Sequence, residues 1–426
     1  MNIISRLKNN KTLLNGGLFS IYSFFNEGIA FLLLILLANY IAPAEYGQLS
    51  LFNTIVAFLG YFVALSTQGF VSVSYFKRGK DHLRQDFSSI CLICLVVTSF
   101  FCVITLFAGE WIAKQASLPF LFLWLAIAIA FFKVFQDMWL NFYRIKEQVG
   151  LFGIFSCGFA ILNLVLSLLL VIKTPLNWEG RIYAQLGCTV LFGVIGLFYF
   201  AKYKLYTTRL EWSNIRMIII WGLPLIPHLA SLWLKQGGDR FIINHFHTVE
   251  DVGLFSFALN LTSIIIMIGN AFNNSNCVTI YQILSNDSDS ATKQQMLKRQ
   301  TRNISIITII AYIGVVVGAS VLVPILLPKY TASVPYFLVL SIQGLGQCFY
   351  FLFCNYLFYY SKNKQIMYVT FGTSLLHLGL SLLLTRYSLY LTCIIYVVTQ
   401  IVVTGIIYKL GIKSLRENLA VTVDNN

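Results

Sequence analysis

About twelve stretches of this 426-residue chain are apolar over a length that can cross a bilayer, and this restricts the fold more than any motif does. In hydrocarbon every backbone polar group must be bonded internally, so only helices or a closed barrel can span. Long apolar runs, rather than ten-residue alternating ones, select helices. The first six runs are Gly16 to Tyr40, Gln48 to Phe70, Phe87 to Ala108, Leu118 to Leu140, Leu151 to Ile172 and Ile182 to Ala201. The second six are Met217 to Phe246, Leu254 to Val278, Ile304 to Leu327, Val334 to Leu357, Ile366 to Leu384 and Leu389 to Leu410. With 58% hydrophobic and 11% charged residues, the chain has too few charges for a water-facing surface of this size, so it reads as an all-α integral membrane protein. Met1 to Lys11 is short and basic, and the run after it is too long for a signal peptide, so that run reads as the first transmembrane helix.

The loops alternate in charge. One side holds Arg6, Lys8 and Lys11; Lys77, Arg78, Lys80 and Arg84; Arg144 and Lys146; Lys202, Lys204, Arg209 and Arg216; Lys293, Lys298, Arg299 and Arg302; Lys362 and Lys364; Lys409, Lys413 and Arg416. The other side has Lys114, Lys173, Arg181, Arg240, Lys329 and Arg386. The positive-inside rule then places both termini in the cytoplasm. The net charge of +14 is spread over all the cytoplasmic loops, which excludes a nucleic-acid patch and predicts no nucleic-acid partner.

The chain also has two halves. Laying Trp221–Asn260 on the opening segment without gaps matches Gly16 with Gly222, Glu45 with Asp251, Gly47 with Gly253, Ser50 with Ser256 and Tyr75 with Tyr281. Each pair occupies the same place in a unit of helix, acidic turn, glycine and helix. The expected organisation is a six-helix bundle over 1–201, a basic connector over 202–216, a second six-helix bundle over 217–410 and a cytoplasmic tail over 411–426. Asn286 to Thr292, acidic and serine-rich, is the segment that looks like a flexible linker.

Charge inside the membrane marks the candidate sites, because Lys, Asp or Glu at a helix centre costs about 2.5–3.5 kcal/mol on insertion scales. In the seventh run His228, Ser231, Lys235 and Asp239 recur at helical spacing on one face, between Pro224 and Pro227 on one side and Gly237 and Gly238 on the other. In the first run Gly16, Ser20, Ser23 and Glu27 share a face. Lys235 and Glu27 are the strongest candidates. Candidates for a polar lumen are Lys235, His228, Ser231, Arg240, Asn260, Asn270, Asn274 and Lys133; candidates for ion coupling are Glu27, Asp239 and Asp137. Lys133 and Asp137, four residues apart, also fit a local ion pair, and Asp239 and Arg240 also fit an approach to the periplasmic interface. Further one-faced stripes are Ser156, Asn163 and Ser167 in the fifth run, Asn260, Ser263, Asn270 and Asn274 in the eighth, and Thr370, Ser374, His377 and Ser381 in the eleventh. Each Ser, Thr or Asn taken singly fits interhelical hydrogen bonding, and packing is the default for His377.

No catalytic triad, GxxxxGK[ST] loop or carboxylate cluster occurs, so the expectation is a non-enzyme without cofactor or metal. The nine cysteines, Cys91 and Cys94 among them, read as small buried apolar residues.

An APAEYGQLS turn after the first helix, a GLPLIPHL start and EDVGLFSFAL exit around the seventh, and PKYTASVPYF between the ninth and tenth, in this order over the full length, resemble the bacterial O-antigen flippases of the multidrug/oligosaccharidyl-lipid/polysaccharide (MOP) transporter superfamily. The resemblance implies two six-helix bundles around a central V-shaped cavity. It also implies translocation of an undecaprenyl-diphosphate-linked oligosaccharide across the inner membrane, coupled to a proton or sodium gradient, with a polysaccharide polymerase as a partner. Lys235 fits the cationic lumen of such proteins; Glu27 does not. The alternatives are a multidrug exporter of the same superfamily and a polysaccharide polymerase or ligase, although the latter resembles chains with a large periplasmic loop.

Overall fold

The computed structural model describes residues 11–424 except 66, 224, 225, 227, 228, 230–232, 287 and 288, with backbone only at 11–14, 16, 68, 236 and 419–424. Eleven helices among the described residues are long and apolar enough to cross a membrane. The seventh apolar run contains most of the undescribed residues within 11–424, including His228, Ser231, Pro224 and Pro227, and supplies no continuous span to that count.

The chain forms two compact units, Met1–Trp233 and Leu234–Asn426. Unit 1 contains α1 (Lys11–Ala38), α2 (Pro43–Ala64), α3 (Thr67–Arg78), α4 (Leu83–Gln115), α5 (Leu121–Ile145), α6 (Val149–Lys173), α7 (Asn177–Lys202) and α8 (Trp212–Gly222). Its centre is α5, packed against α2 and α7. Glycine allows that closeness: a Cβ at Gly193 of α7 would stand 2.7 Å from the carbonyl oxygen of Phe132 on α5. Beside this contact the fully buried Trp139 stacks on Phe142 and Tyr199 at 4.9 and 5.1 Å between ring centres.

The connector is fastened to unit 1. Arg84 and Gln85 of α4 donate to the carbonyls of Lys204 and Arg209 at 2.5 and 2.6 Å, and the Thr207 N–H donates to the Ser88 hydroxyl at 2.9 Å. Arg78 bridges the buried Asp86 (3.3 Å) and Asn214 (2.7 Å), while Asn214 donates to Ser89 at 3.1 Å. The division between the units thus falls at Trp233 and Leu234, inside the seventh apolar run and beyond the connector.

Unit 2 contains a five-residue π-helical segment (Leu234–Gly238), α9 (Asp239–Phe246), α10 (Val249–Ser285), α11 (Ser290–Leu326), α12 (Val334–Tyr359), α13 (Asn363–Leu384) and α14 (Leu389–Asp424). Here α12 is central, between α10 and α14. α10 and α11 have 37 residues each, about 55 Å at 1.5 Å per residue, so they extend well past a hydrocarbon core of about 30 Å. α11 exposes Ile306, Ile310, Ile313, Val317 and Val321 along one face, a stripe suited to lipid. Its start is capped by Asp289, which accepts from the Thr292 N–H at 3.1 Å. Hydrogen bonding from the Thr292 side chain and backbone holds the Asp289 carboxyl below the usual carboxylate range.

The matched acids of the two halves do the same work. Glu45 accepts from the Ala42 N–H at 2.8 Å and closes the start of α2; Asp251 accepts from the Thr248 N–H at 3.1 Å at the start of α10. In return the Asp251 N–H donates to the Thr248 hydroxyl oxygen at 3.1 Å, an acceptor that Ala42 lacks.

Candidate substrate and coupling site

Lys235 lies in the π-helical segment, where an extra residue per turn opens the backbone ladder ahead of Gly237 and Gly238. The Tyr396 hydroxyl donates to the Lys235 carbonyl at 2.5 Å and so ties this segment to α14. The half-buried Lys235 ammonium donates to Gln400 Oε1 at 3.1 Å. Gln400 is fully buried and is itself held: its amide donates to Thr404 Oγ1 at 3.2 Å, and Thr404 donates to the Gly346 carbonyl at 3.1 Å. The cation is therefore fixed through α14 to α12, and it retains donors that Gln400 does not use.

One turn on, Asp239 is completely buried. Its carboxylate lies 2.7 Å from His377 Nε2 and accepts a short hydrogen bond from the Ser381 hydroxyl, both on α13. His377 Nδ1 lies 3.1 Å from Thr399 Oγ1 on α14, and the Thr399 hydroxyl donates to the Ile395 carbonyl at 2.8 Å. With the Thr399 proton committed to that carbonyl, Nδ1 is the donor in its bond to Thr399. Nε2 then faces the Asp239 carboxylate at hydrogen-bond distance. The arrangement accommodates one proton shared by a buried acid and a buried imidazole, closed off by the Tyr396 ring standing edge-on to His377 at 4.6 Å. Asp239 thus lies inside the protein with two polar partners, His377 and Ser381, and His377 is bonded to it rather than only packed.

The other expected residues are distributed over both units. Arg240, half-buried, donates from Nε to the Ser256 hydroxyl at 3.0 Å. On α10, Asn260 is half-buried and bonded, whereas Asn270 and Asn274 are exposed. Their neighbours Asn273 and Asn276 turn inward, accepting from Asn355 at 2.8 Å and Gln300 at 2.9 Å. Glu27 is exposed on α1 in unit 1, with no hydrogen bond or ion pair among the described residues. Lys133 and Asp137 on α5 form an ion pair at 3.5 Å. The fifth-run stripe lies within unit 1, where Asn163 and Ser167 accept from Arg181 at 2.8 and 3.2 Å. His228 and Ser231 lie outside the described residues.

Sequence reasoning missed Gln400, Thr399 and Tyr396. They recur at i, i+3 and i+4 on α14, and that spacing was the available signal.

Known proteins supply the remaining context. Residues 36–335 match the sequence model of a family described as "Polysaccharide biosynthesis protein". A protein of the Lsg locus of Haemophilus influenzae, protein 1, is 26% identical over 342 residues, covering 79% of this chain and 82% of that one. A second membrane protein of the same organism is 23% identical over 373 residues, covering 82% and 85%. Among solved structures, an inward-facing multidrug resistance MATE family transporter of the MOP superfamily superposes with a TM-score of 0.67 at 13% identity, covering 95% of this chain and 96% of that one. The outward-facing conformation of a MATE family transporter gives 0.57 at 16% identity, covering 99% and 98%. At these identities the likeness speaks for the fold. The chain belongs to the polysaccharide biosynthesis protein family, as a multi-pass membrane protein with the fold of the MOP-superfamily structures.

Proposed function

We propose that this protein is a flippase that carries undecaprenyl-diphosphate-linked oligosaccharide repeat units, of the O-antigen kind, across the bacterial inner membrane, with both termini in the cytoplasm. The observation that carries this reading is Lys235: a half-buried ammonium at a π-helical break in a membrane-spanning run, held by Gln400 with donors to spare. A lipid-linked sugar diphosphate is anionic at its head, and a cation retained inside a membrane protein at such cost suits that charge. Arg240 and the exposed amides Asn270 and Asn274 extend polar surface on the same unit. Asp239 and His377 hold the proton whose release couples transport to an ion gradient, and Glu27 is a further ionisable group in the other unit. The flipped repeat unit passes to a polysaccharide polymerase. A multidrug exporter shares the fold, but no contact among the described residues singles out organic cations.

The test is a chromosomal deletion complemented with wild type, Lys235→Ala, Lys235→Arg or Glu27→Gln, followed by surface polysaccharide and by lipid-linked repeat units left on the cytoplasmic face. The expected result is accumulation in the deletion and in Lys235→Ala at normal protein level, partial export with Lys235→Arg, and altered dependence on pH or sodium with Glu27→Gln. Full export by Lys235→Ala, or a deletion strain that accumulates nothing, refutes the reading.

A further inference from the structure

Unit 1 encloses a polar space that the site above does not use. Two adjoining cavities of about 410 and 530 Å³ share Asn53, Lys133, Asp137 and Gln185 as walls, and each is within the roughly 300–1,000 Å³ typical of small-molecule sites. The first is bounded by α1, α2, α5, α6 and α7, and five carboxamides face it: Asn26, Asn53, Gln136, Asn163 and Gln185. Among the described residues, Asn26 Oδ1, Gln136 Oε1 and Gln185 Oε1 are buried and accept no hydrogen bond, and Gln136 is only 3% exposed. Buried polar atoms are almost always satisfied, and these three, each closed to water where it stands, belong to side chains that line the cavity and have bonding capacity unused.

The wall narrows the chemistry that fits. Arg181 spends one nitrogen on Asn163 and Ser167 and keeps other N–H groups to donate. Lys133 and Asp137 neutralise each other at 3.5 Å, so an organic cation finds no free carboxylate there. A diphosphate suits cations in excess, whereas most of the polar residues in this wall are amides. Between the amides lie apolar surfaces from Ile29, Leu33 and Phe159. Hydroxyls that both donate and accept, set around a ring with an apolar C–H face, match these walls. We infer that the unit 1 cavity is a sugar subsite that binds one monosaccharide residue of the transported repeat unit. The repeat unit as the source of that sugar rests on the flippase reading; the sugar chemistry of the cavity does not.

The experiment uses the full chain in nanodiscs and two kinds of probe. The first is a panel of methyl glycosides of glucose, galactose, N-acetylglucosamine and rhamnose, observed by saturation-transfer NMR. The second is undecaprenyl diphosphate compared with the lipid-linked repeat unit extracted from the deletion strain. Wild type should show transfer to at least one glycoside and should bind the glycosylated lipid more tightly than the bare one. Gln136→Leu combined with Gln185→Leu, near in volume to the native pair, should weaken glycoside and glycosylated-lipid binding about tenfold for two lost acceptors while leaving bare lipid unchanged. Gln185→Ala alone, at a half-buried position, should give part of the loss, and a retained thermal midpoint certifies the fold of each variant. Glycoside binding without lipid binding refutes the flippase reading and upholds the subsite. Lipid binding without any glycoside signal, or a double variant that keeps the wild-type preference, means a cavity holding only water and overturns the subsite.

Discussion

Replacing His377 by alanine should cost far more stability than the loss of one contact, because of what it leaves behind. Asp239 and His377 are both completely buried, and the carboxylate lies 2.7 Å from the imidazole Nε2. Removing one partner of a buried, hydrogen-bonded charge pair typically costs about 3–5 kcal/mol, chiefly because the remaining charge has neither water nor partner. Ser381 still donates to Asp239 in the variant, which places the expected loss toward the lower end of that range. Asp239→Asn removes the charge while retaining shape, so in that background His377→Ala should cost only the packing of the ring and its bond to Thr399. The difference between the two His377→Ala effects, the coupling energy, should be about 1.5–3 kcal/mol, the size of a hydrogen bond to a charged group. The four proteins can be compared by graded SDS titration in mixed micelles, following Trp fluorescence and helical content. A coupling below about 0.5 kcal/mol, which is what independent sites give, would refute the account of a shared proton and leave His377 a packing residue.

Two further outcomes follow from the structure. Gly193→Ala should destabilise unit 1 by about 1–3 kcal/mol, since a Cβ there meets the Phe132 carbonyl oxygen at 2.7 Å and a backbone atom cannot swing aside; a thermal midpoint equal to wild type would refute the close packing of α7 on α5. A single cysteine at Arg209, placed in an otherwise cysteine-free protein, should be labelled by a membrane-impermeant maleimide only after the inner membrane is opened, and labelling in intact spheroplasts would overturn the cytoplasmic placement of the connector.

The helices were legible because hydropathy alone decides them: eleven of the twelve expected runs appear as membrane-length helices, including α11, whose exposed apolar stripe needs no protein partner. Charge singled out Lys235 and Asp239 for the same reason, since either is costly in hydrocarbon. Their partners were not legible. His377 and Ser381 lie 138 and 142 residues from Asp239, and Gln400 lies 165 from Lys235, so only tertiary packing brings them together. A stripe of Ser and Thr on α13 announces a polar face without stating whether it meets lipid-linked substrate, water or a carboxylate. Asn270 and Asn276 show the same limit within one helix: six residues apart, one is exposed and the other is spent on Gln300.

The internal repeat explains how one frame can serve two chemistries. Glu45 and Asp251 close equivalent helix starts, so the frame is shared at the turn after each opening segment. In the register that pairs them, Lys235, Asp239 and Arg240 fall on Ile29, Leu33 and Leu34 of α1, and all three of those residues line the amide-rich cavity of unit 1. The place that carries the charged cluster in unit 2 is therefore an apolar wall in unit 1, and most of the polar groups around that cavity come instead from α5, α6 and α7, with Asn26 of α1 and Asn53 of α2. Duplication fixes backbone positions and cap chemistry, because every helix of either half needs them. It does not fix what a side chain presents toward the interior, where each half is free to diverge. A substitution at Lys235 and one at Ile29 thus test different chemistry despite their equivalent places in the fold.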